Sequence, residues 1–136
     1  MHVHQIRADV FIRKLADRLK NELPKPEWVD YVKAGVYAER PPEQEDFWWI
    51  RAAAIMRKLY LHGAIGVSRL RKMYGKRKKR GVKPEHKYPA GGKLIRNILQ
   101  GLERLGYVRK VQKGRELTGK GRALLDSLAK EYGSGQ

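Results

Sequence analysis

The sequence contains no cysteine, only three serines and few acidic residues. Without cysteine the chain can form no disulfide framework, thiolate zinc site, iron–sulfur cluster or cysteine nucleophile, and it fits a reducing compartment. None of the serines (Ser68, Ser127 and Ser134) lies in a Gly-x-Ser-x-Gly context, so a hydrolase nucleophile has no candidate. We therefore predict no catalytic residue and no enzymatic activity.

Long apolar runs are also missing. Residues 1–9 contain no apolar core of a signal peptide, and Ala52 to Met56 is far shorter than the roughly 20 residues that span a membrane. The four histidines lack the spacing of a metal site on one helix. We expect neither secretion nor a membrane partner, and we predict no metal, no cofactor and no small-molecule substrate.

Positive charge is what the chain has in excess. With 31 basic and 14 acidic residues among 136, the net charge is +17. Such a charge favours phosphate-rich partners through counterion release, and nucleic acid ahead of an anionic membrane surface. Residues 69–96 alone hold 12 basic residues and 1 acidic residue. Because this basic segment lies between periodic apolar segments, we expect a folded surface to present it, whereas an isolated charge run is often a solvated tail.

The first half of the chain has the pattern of three helices within a single domain, residues 1–136. One amphipathic helix begins at Asp9 and is stopped by Pro24, and a second begins at Pro26. With the loop 37–45 they form an N-terminal extension over residues 1–45. The third helix, Phe47–His62, has Asp46 as N-cap and Gly63 as its stop, and apolar residues cover most of its circumference. We expect it to be central and buried.

The second half predicts helix-turn-helix spacing followed by a wing. A short helix, Val67 to Tyr74, follows the third across a tight turn. The basic loop Lys76 to Ala90 contains glycine and prolines that argue against regular structure. Next come a helix that begins at Gly92 or Lys93 and ends at Leu105, a hairpin within 107–117 and a last helix capped by Thr118. These elements complete residues 46–132, and we expect residues 133–136 to be a frayed tail. This order predicts a mainly α, winged-helix-like domain around a central helix, with a small β-hairpin as the wing.

Aromatic and arginine residues occur together in the central helix. Phe47, Trp48 and Trp49 are consecutive and point in three directions, so at least one should meet a loop or a partner. Core packing is favoured for the group, with base stacking as the alternative. Arg51 and Arg57 either pair with acidic residues of the chain, such as Glu45 or Asp46 just before the helix, or bind phosphate.

Glycines mark two further places. Gly91-Gly92-Lys93 opens a helix, where free backbone N–H groups and the positive dipole end favour a phosphate. Gly114 and Gly119-Lys120 match part of a nucleotide-binding loop, but Gly121 stands where a magnesium-binding serine or threonine is required. We therefore expect phosphate contact at Gly92 and no nucleotide hydrolysis.

Many short strings, in order and over nearly the whole chain, resemble one family. The strings are Pro26-Glu27-Trp28-Val29, Phe47-Trp48-Trp49-Ile50-Arg51-Ala52-Ala53, Arg57-Lys58-Leu59-Tyr60-Leu61, Gly66-Val67, Tyr74-Gly75, Arg80-Gly81-Val82 with Pro84 and His86, Ile98-Leu99-Gln100 with Leu102-Glu103, and Leu117-Thr118 with Gly121. The family that they resemble is the archaeal and eukaryotic type of small-subunit ribosomal protein nineteen, S-nineteen-e.

The resemblance implies a cytoplasmic protein in the head of the small ribosomal subunit. It would be a monomer there, bound to ribosomal RNA and neighbouring ribosomal proteins, and in eukaryotic relatives it would be required for subunit maturation. Arg57 and Arg96 match basic positions associated with assembly, and Arg51 matches the arginine after the aromatic cluster. The chain departs from the family pattern at four places, and its short length without a basic C-terminal extension looks archaeal. The family usually has Trp where this chain has Phe47, and a second Gly where it has Lys76. It also usually has Ser near the position of Gly92 and Pro at the position of Gly119.

We predict a ribosomal RNA interface with three parts: the loop Lys76 to Lys83, the helix start at Lys93 and Arg96, and the exposed side of the central helix. The alternative is a winged-helix transcription regulator, which would place the helix from Lys93 in a DNA major groove. No dimerisation segment, which such regulators normally have, is evident. The predicted RNA-binding residues are Arg51, Arg57, Lys58, Lys72, Lys76, Arg77, Lys78, Lys79, Arg80, Lys83, His86, Lys87, Gly92, Lys93 and Arg96.

Overall fold

The computed structural model describes residues 2–26, 46–74, 76–80, 83–88 and 92–134, with the backbone alone at 76–80, 83–88 and 133–134. The helix predicted from Pro26 and the loop predicted over 37–45 lie outside these residues. A 3₁₀ turn, Val3–Gln5, comes first. The other elements are α1 (Ala8–Leu19), α2 (Phe47–His62), α3 (Val67–Met73), β1 (Lys76–Arg80), β2 (Lys83–Tyr88), α4 (Gly92–Arg104), β3 (Val108–Val111), β4 (Gly114–Leu117) and α5 (Gly119–Ser134).

Helix α2 is the central, buried helix that the sequence predicts, with the predicted bounds. Trp48 is 1% exposed and anchors its start, while Phe47 and Trp49 are only partly buried. The Trp49 indole donates a hydrogen bond to the carbonyl of Leu23 at 2.7 Å, so it packs against the segment after α1. Gly63 ends the helix with a φ of 79°, which a glycine adopts without steric cost. The aromatic cluster therefore serves mainly in packing.

Asp46 holds the N-cap position of α2, but its carboxylate does not cap the helix. It accepts a hydrogen bond from Arg13 and lies 3.4 Å from the ammonium of Lys20, both on or next to α1. Burial disfavours the ionised carboxylate, but the hydrogen bond and charge of Arg13 outweigh burial and lower the pKa of Asp46. Asp46 is thus engaged by Arg13 and Lys20 of the α1 region.

The core lies where α1, α2, α4 and α5 meet. Each helix contributes an apolar stripe at helical spacing, and burial of these stripes is the main force that holds the helices together. The stripe of α4 is the most regular of them, as the sequence predicts. Its buried side chains are Leu94, Ile95, Ile98, Leu99 and Leu102.

The expectation of an irregular basic loop after α3 is wrong. Strands β1 and β2 pair in antiparallel register, with Lys76 opposite Tyr88 and Arg80 opposite Lys83. Pro84 stands inside β2, where it is tolerated because both strands of a two-stranded hairpin are edge strands. Residues 76–80 and 83–88 of the basic segment therefore have a defined backbone.

The wing, β3 with β4, is confirmed and is joined to the turn between α2 and α3. Val108 pairs with Leu117 and Val111 with Gly114. Ile65 and Arg115 exchange two backbone hydrogen bonds of 2.9 Å and so form an isolated antiparallel bridge between the α2–α3 turn and β4. Thr118 then caps α5 by accepting a hydrogen bond from the N–H of Gly121 at 3.1 Å.

Helix α5 continues to Ser134, two residues into the segment expected to be frayed. It is tied to α2 by the hydroxyl of Tyr60, which donates to Asp126 at 2.5 Å. Tyr107, the residue before β3, connects the wing to the segment after α1. Its hydroxyl lies 2.8 and 3.0 Å from the two carboxylate oxygens of Glu22 and donates its proton to that carboxylate. Burial and this hydrogen bond raise the pKa of Tyr107 to about 12, so the hydroxyl remains a donor. These elements make up a winged-helix-like fold.

Candidate nucleic-acid interface

Two arginines of α2 meet the end of α3. The guanidinium of Arg51 lies 4.4 Å from the ring centre of Tyr74 and 5.1 Å from that of Phe47. Burial raises the pKa of Tyr74 to about 12, against the opposing charges of Arg51 and Arg57. The Nε of Arg57 is buried without a hydrogen-bond partner among the described residues. The end of α3 therefore meets two positive guanidinium groups, those of Arg51 and Arg57, while the Tyr74 hydroxyl stays neutral.

A second pair of arginines meets at the start of α4. Gly92 is buried, and Arg96, one turn later, folds back over it. A Cβ built on Gly92 would lie 3.2 and 3.3 Å from the two terminal nitrogens of Arg96 and 3.3 Å from Cδ of Arg71. The side chains of α3 and α4 thus converge on the positive end of the α4 dipole, an arrangement that favours a phosphate.

The hairpin β1–β2 places like charges opposite each other. Arg77 faces Lys87 across the ladder, and Arg80 faces Lys83. Directly opposed like charges destabilise an antiparallel pair in the absence of a counter-charge. A polyanion would remove that penalty.

Carboxylates compensate the charge elsewhere in the molecule. Of the eight whose side chains are described, five pair with basic residues on or beside α1, two pair with arginines of the wing, and one accepts from Tyr60. None of these contacts involves Arg57, Lys58, Lys72 or Arg96. Ion pairing therefore balances the basic residues of the α1 region and engages two arginines of the wing, but it leaves these four cations without a carboxylate among the described side chains. The eight are Asp9, Asp17, Glu22, Asp46, Glu103, Glu116, Asp126 and Glu131.

The predicted site residues fall into three groups. The structure places Arg51 against the ring of Tyr74, lets the charge of Arg57 act on the same tyrosine, and folds Arg96 over Gly92. Lys72 and Lys93 are exposed on α3 and α4, and Lys58 is half-buried. The side chains of the hairpin residues lie outside the description, and only their backbone positions are given. These residues are Lys76, Arg77, Lys78, Lys79, Arg80, Lys83, His86 and Lys87.

Arg71 and Tyr74 are missing from the predicted set. Their spacing offered a signal, because positions three apart lie on one face of a helix. What the sequence could not indicate is which helices that face meets. In the structure Arg71 reaches the start of α4, and Tyr74 reaches Arg51 on α2.

Other kinds of site find little support in the side chains that are described. No three His, Asp or Glu residues among them are grouped to hold a metal. Lys120, the lysine of the partial nucleotide-loop pattern, donates to the carbonyl of Leu105 at 2.8 Å and lies 5.0 Å from the ring centre of Tyr107. Its contacts are structural. No helix in the described ranges is long and apolar enough to cross a membrane.

Comparison with known proteins identifies the family. The chain matches the family Ribosomal protein S19e over residues 2–134. It is 45% identical over 132 residues to the small ribosomal subunit protein eS19 of Aeropyrum pernix, covering 93% of this chain and 86% of that protein. It is 44% identical over 130 residues to the protein of the same name from Entamoeba histolytica, with 94% and 84% covered. For Haloarcula marismortui the identity is 40% over 134 residues, with 93% and 88% covered. The chain therefore belongs to the ribosomal protein S19e family.

Proposed function

We propose that this chain is a structural constituent of the small ribosomal subunit that binds ribosomal RNA with its basic segment and the adjoining side of α2. The observation that carries the proposal is the separation of charge. Carboxylates pair with the basic residues of the α1 region and with Arg109 and Arg115 of the wing, while Arg57 and Arg96 have no acidic partner among the described side chains. Three elements form the interface: the hairpin β1–β2, the start of α4 and the side of α2 at Arg57.

Backbone phosphates suit this surface better than base edges. The deep, narrow major groove of A-form RNA keeps side chains from reading its bases, so a rigid protein recognises its shape and its unpaired nucleotides. Arginine binds phosphate through two parallel N–H groups, and Arg57 and Arg96 lie on helices that fix their positions. In this proposal charge supplies the affinity and the relative placement of hairpin, α2 and α4 supplies the selectivity.

The proposal extends to the place of the chain in the ribosome. The S19e relatives are named as small-subunit proteins, and the resemblance implies the head of the subunit, neighbouring ribosomal proteins and a part in assembly. We do not propose the transcription regulator, because the chain belongs to a family of ribosomal proteins. No catalytic role is proposed either.

Substitution of Gly92 by alanine tests phosphate contact at the start of α4. The new Cβ would come within 3.2 Å of the Arg96 guanidinium and would occupy the space through which a phosphate approaches the helix. We expect binding to an in vitro transcript of small-subunit ribosomal RNA to weaken about tenfold, the loss of one charge-assisted hydrogen bond. The helix itself should be as stable as before, because alanine favours helix more than glycine does.

Gly119→Ala is the matched control. Gly119 is also the first residue of a helix, and a Cβ there would meet nothing within 4 Å. Filter binding should show no change for this variant. Equal affinity of Gly92→Ala and the unmodified chain would contradict the phosphate site, and preference for duplex DNA over the ribosomal RNA would contradict the proposed function.

A further inference from the structure

The guanidinium of Arg51 lies between two aromatic rings. Phe47, one turn earlier on α2, is 5.1 Å away, and Tyr74, at the end of α3, is 4.4 Å away. Both rings are partly buried and pack against the core. Two consecutive helices thus meet at one arginine.

This arrangement suits an arginine specifically. A guanidinium is planar and stacks on aromatic faces, whereas an ammonium is a compact point charge on a flexible stem. Two rings restrict the rotation of the guanidinium and so reduce the entropy lost when it binds two oxygens of one phosphate. A lysine at this position would keep the charge but not the orientation.

We propose that Phe47 and Tyr74 are positioning residues that fix the plane of Arg51 for recognition of a ribosomal RNA phosphate. This inference rests on the proposed function and deepens it, because it makes orientation as well as charge a requirement at α2. We call the three side chains the arginine clamp.

Neighbouring groups support a binding role for the clamp. Asp46, an acidic residue one turn before Arg51, is held by Arg13 and Lys20 of the α1 region. Arg57 lies close enough for its charge to act on Tyr74, and its Nε has no partner among the described residues. Burial keeps the Tyr74 hydroxyl protonated, with a pKa of about 12, so the tyrosine adds no negative charge to the two arginines. The clamp therefore lies beside a second cation, Arg57.

The test measures the affinity of the full-length chain for the small-subunit ribosomal RNA transcript at several KCl concentrations. Arg51→Lys and Tyr74→Leu should each weaken binding about tenfold, as expected for a desolvated cation–π contact. Tyr74→Phe keeps the ring and should bind normally. Arg51→Ala should reduce the slope of log affinity against log salt by about 0.7–0.9, which corresponds to one phosphate contact. Arg7→Lys, at an exposed position just before α1 and outside the proposed interface, is the charge-conserving control and should change nothing.

Normal binding by Arg51→Lys would overturn the inference, since charge alone would then suffice. An unchanged salt slope for Arg51→Ala would also overturn it, because Arg51 would then have only a structural role. If Tyr74→Leu does not fold, the contrast between Arg51→Lys and Arg7→Lys still decides. Failure of the clamp alone leaves Gly92→Ala impaired and the ribosomal RNA preferred over duplex DNA, whereas failure of the proposed function removes that preference.

Discussion

Arg96→Glu is expected to exclude the chain from small ribosomal subunits in cells without unfolding it. Arg96 is exposed on α4, has no carboxylate partner among the described side chains, and lies over Gly92 beside Arg71. Reversing its charge turns attraction for a phosphate into repulsion and should reduce RNA affinity at least about 100-fold, because like charges in contact cost several kcal/mol. The free energy of unfolding should change by less than about 0.5 kcal/mol, as is usual for surface positions.

The measurement is the amount of tagged variant that sediments with small subunits in a sucrose gradient, together with thermal unfolding of the purified chain. Lys130→Glu is the control. It makes the same change in net charge at an exposed position of α5, away from the interface. Lys130→Glu should enter subunits normally. Arg96→Glu at normal levels in subunits would show that the start of α4 does not bind RNA.

Gly114→Ala should destabilise the fold by about 3 kcal/mol, from overpacking and backbone strain together. A Cβ on Gly114 would lie 2.4 Å from the carbonyl oxygen of Ile65 and 2.5 Å from Cα of Gly66, and the φ of 140° disfavours any side chain. Both neighbours are backbone atoms, so no rotamer change relieves the clash. The wing would separate from the turn that joins α2 to α3.

Chemical denaturation of the purified variant measures this effect, and a shift of about 10 °C in Tm should accompany it. Gly119→Ala again serves as the control, since nothing lies within 4 Å of its added methyl group. Equal stability of Gly114→Ala and the unmodified chain would mean that the wing does not pack against Ile65 as the structure has it.

The helices were predictable because their signals are local. The bounds of α2 follow from an apolar surface that ends at Gly63, and the stripe of α4 follows from leucine and isoleucine at helical spacing. Strand pairing in the basic segment was missed because its residues carry no alternation of apolar and polar types. Glycine and proline in this segment predict irregular structure, whereas residues 76–80 and 83–88 form paired strands.

The candidate site was predictable in its charge but not in its geometry. Counting charges located the basic segment, since residues 69–96 hold a single acidic residue. The partner of Asp46 was not predictable, because it depends on α1 packing beside α2. The contributions of Arg71 and Tyr74 likewise depend on α3 meeting α4 and α2, which a linear pattern does not specify.

Lysine footprinting tests the central claim most directly. Small subunits that contain the chain, and the free chain, are treated with an acetylating reagent, and the modification of each lysine is measured by mass spectrometry. We expect Lys72, Lys93 and the lysines of β1 and β2 to be protected in the subunit, while Lys130 on α5 stays reactive. Acetylation of the basic segment at the same rate in subunit and free chain would contradict an interface with ribosomal RNA there.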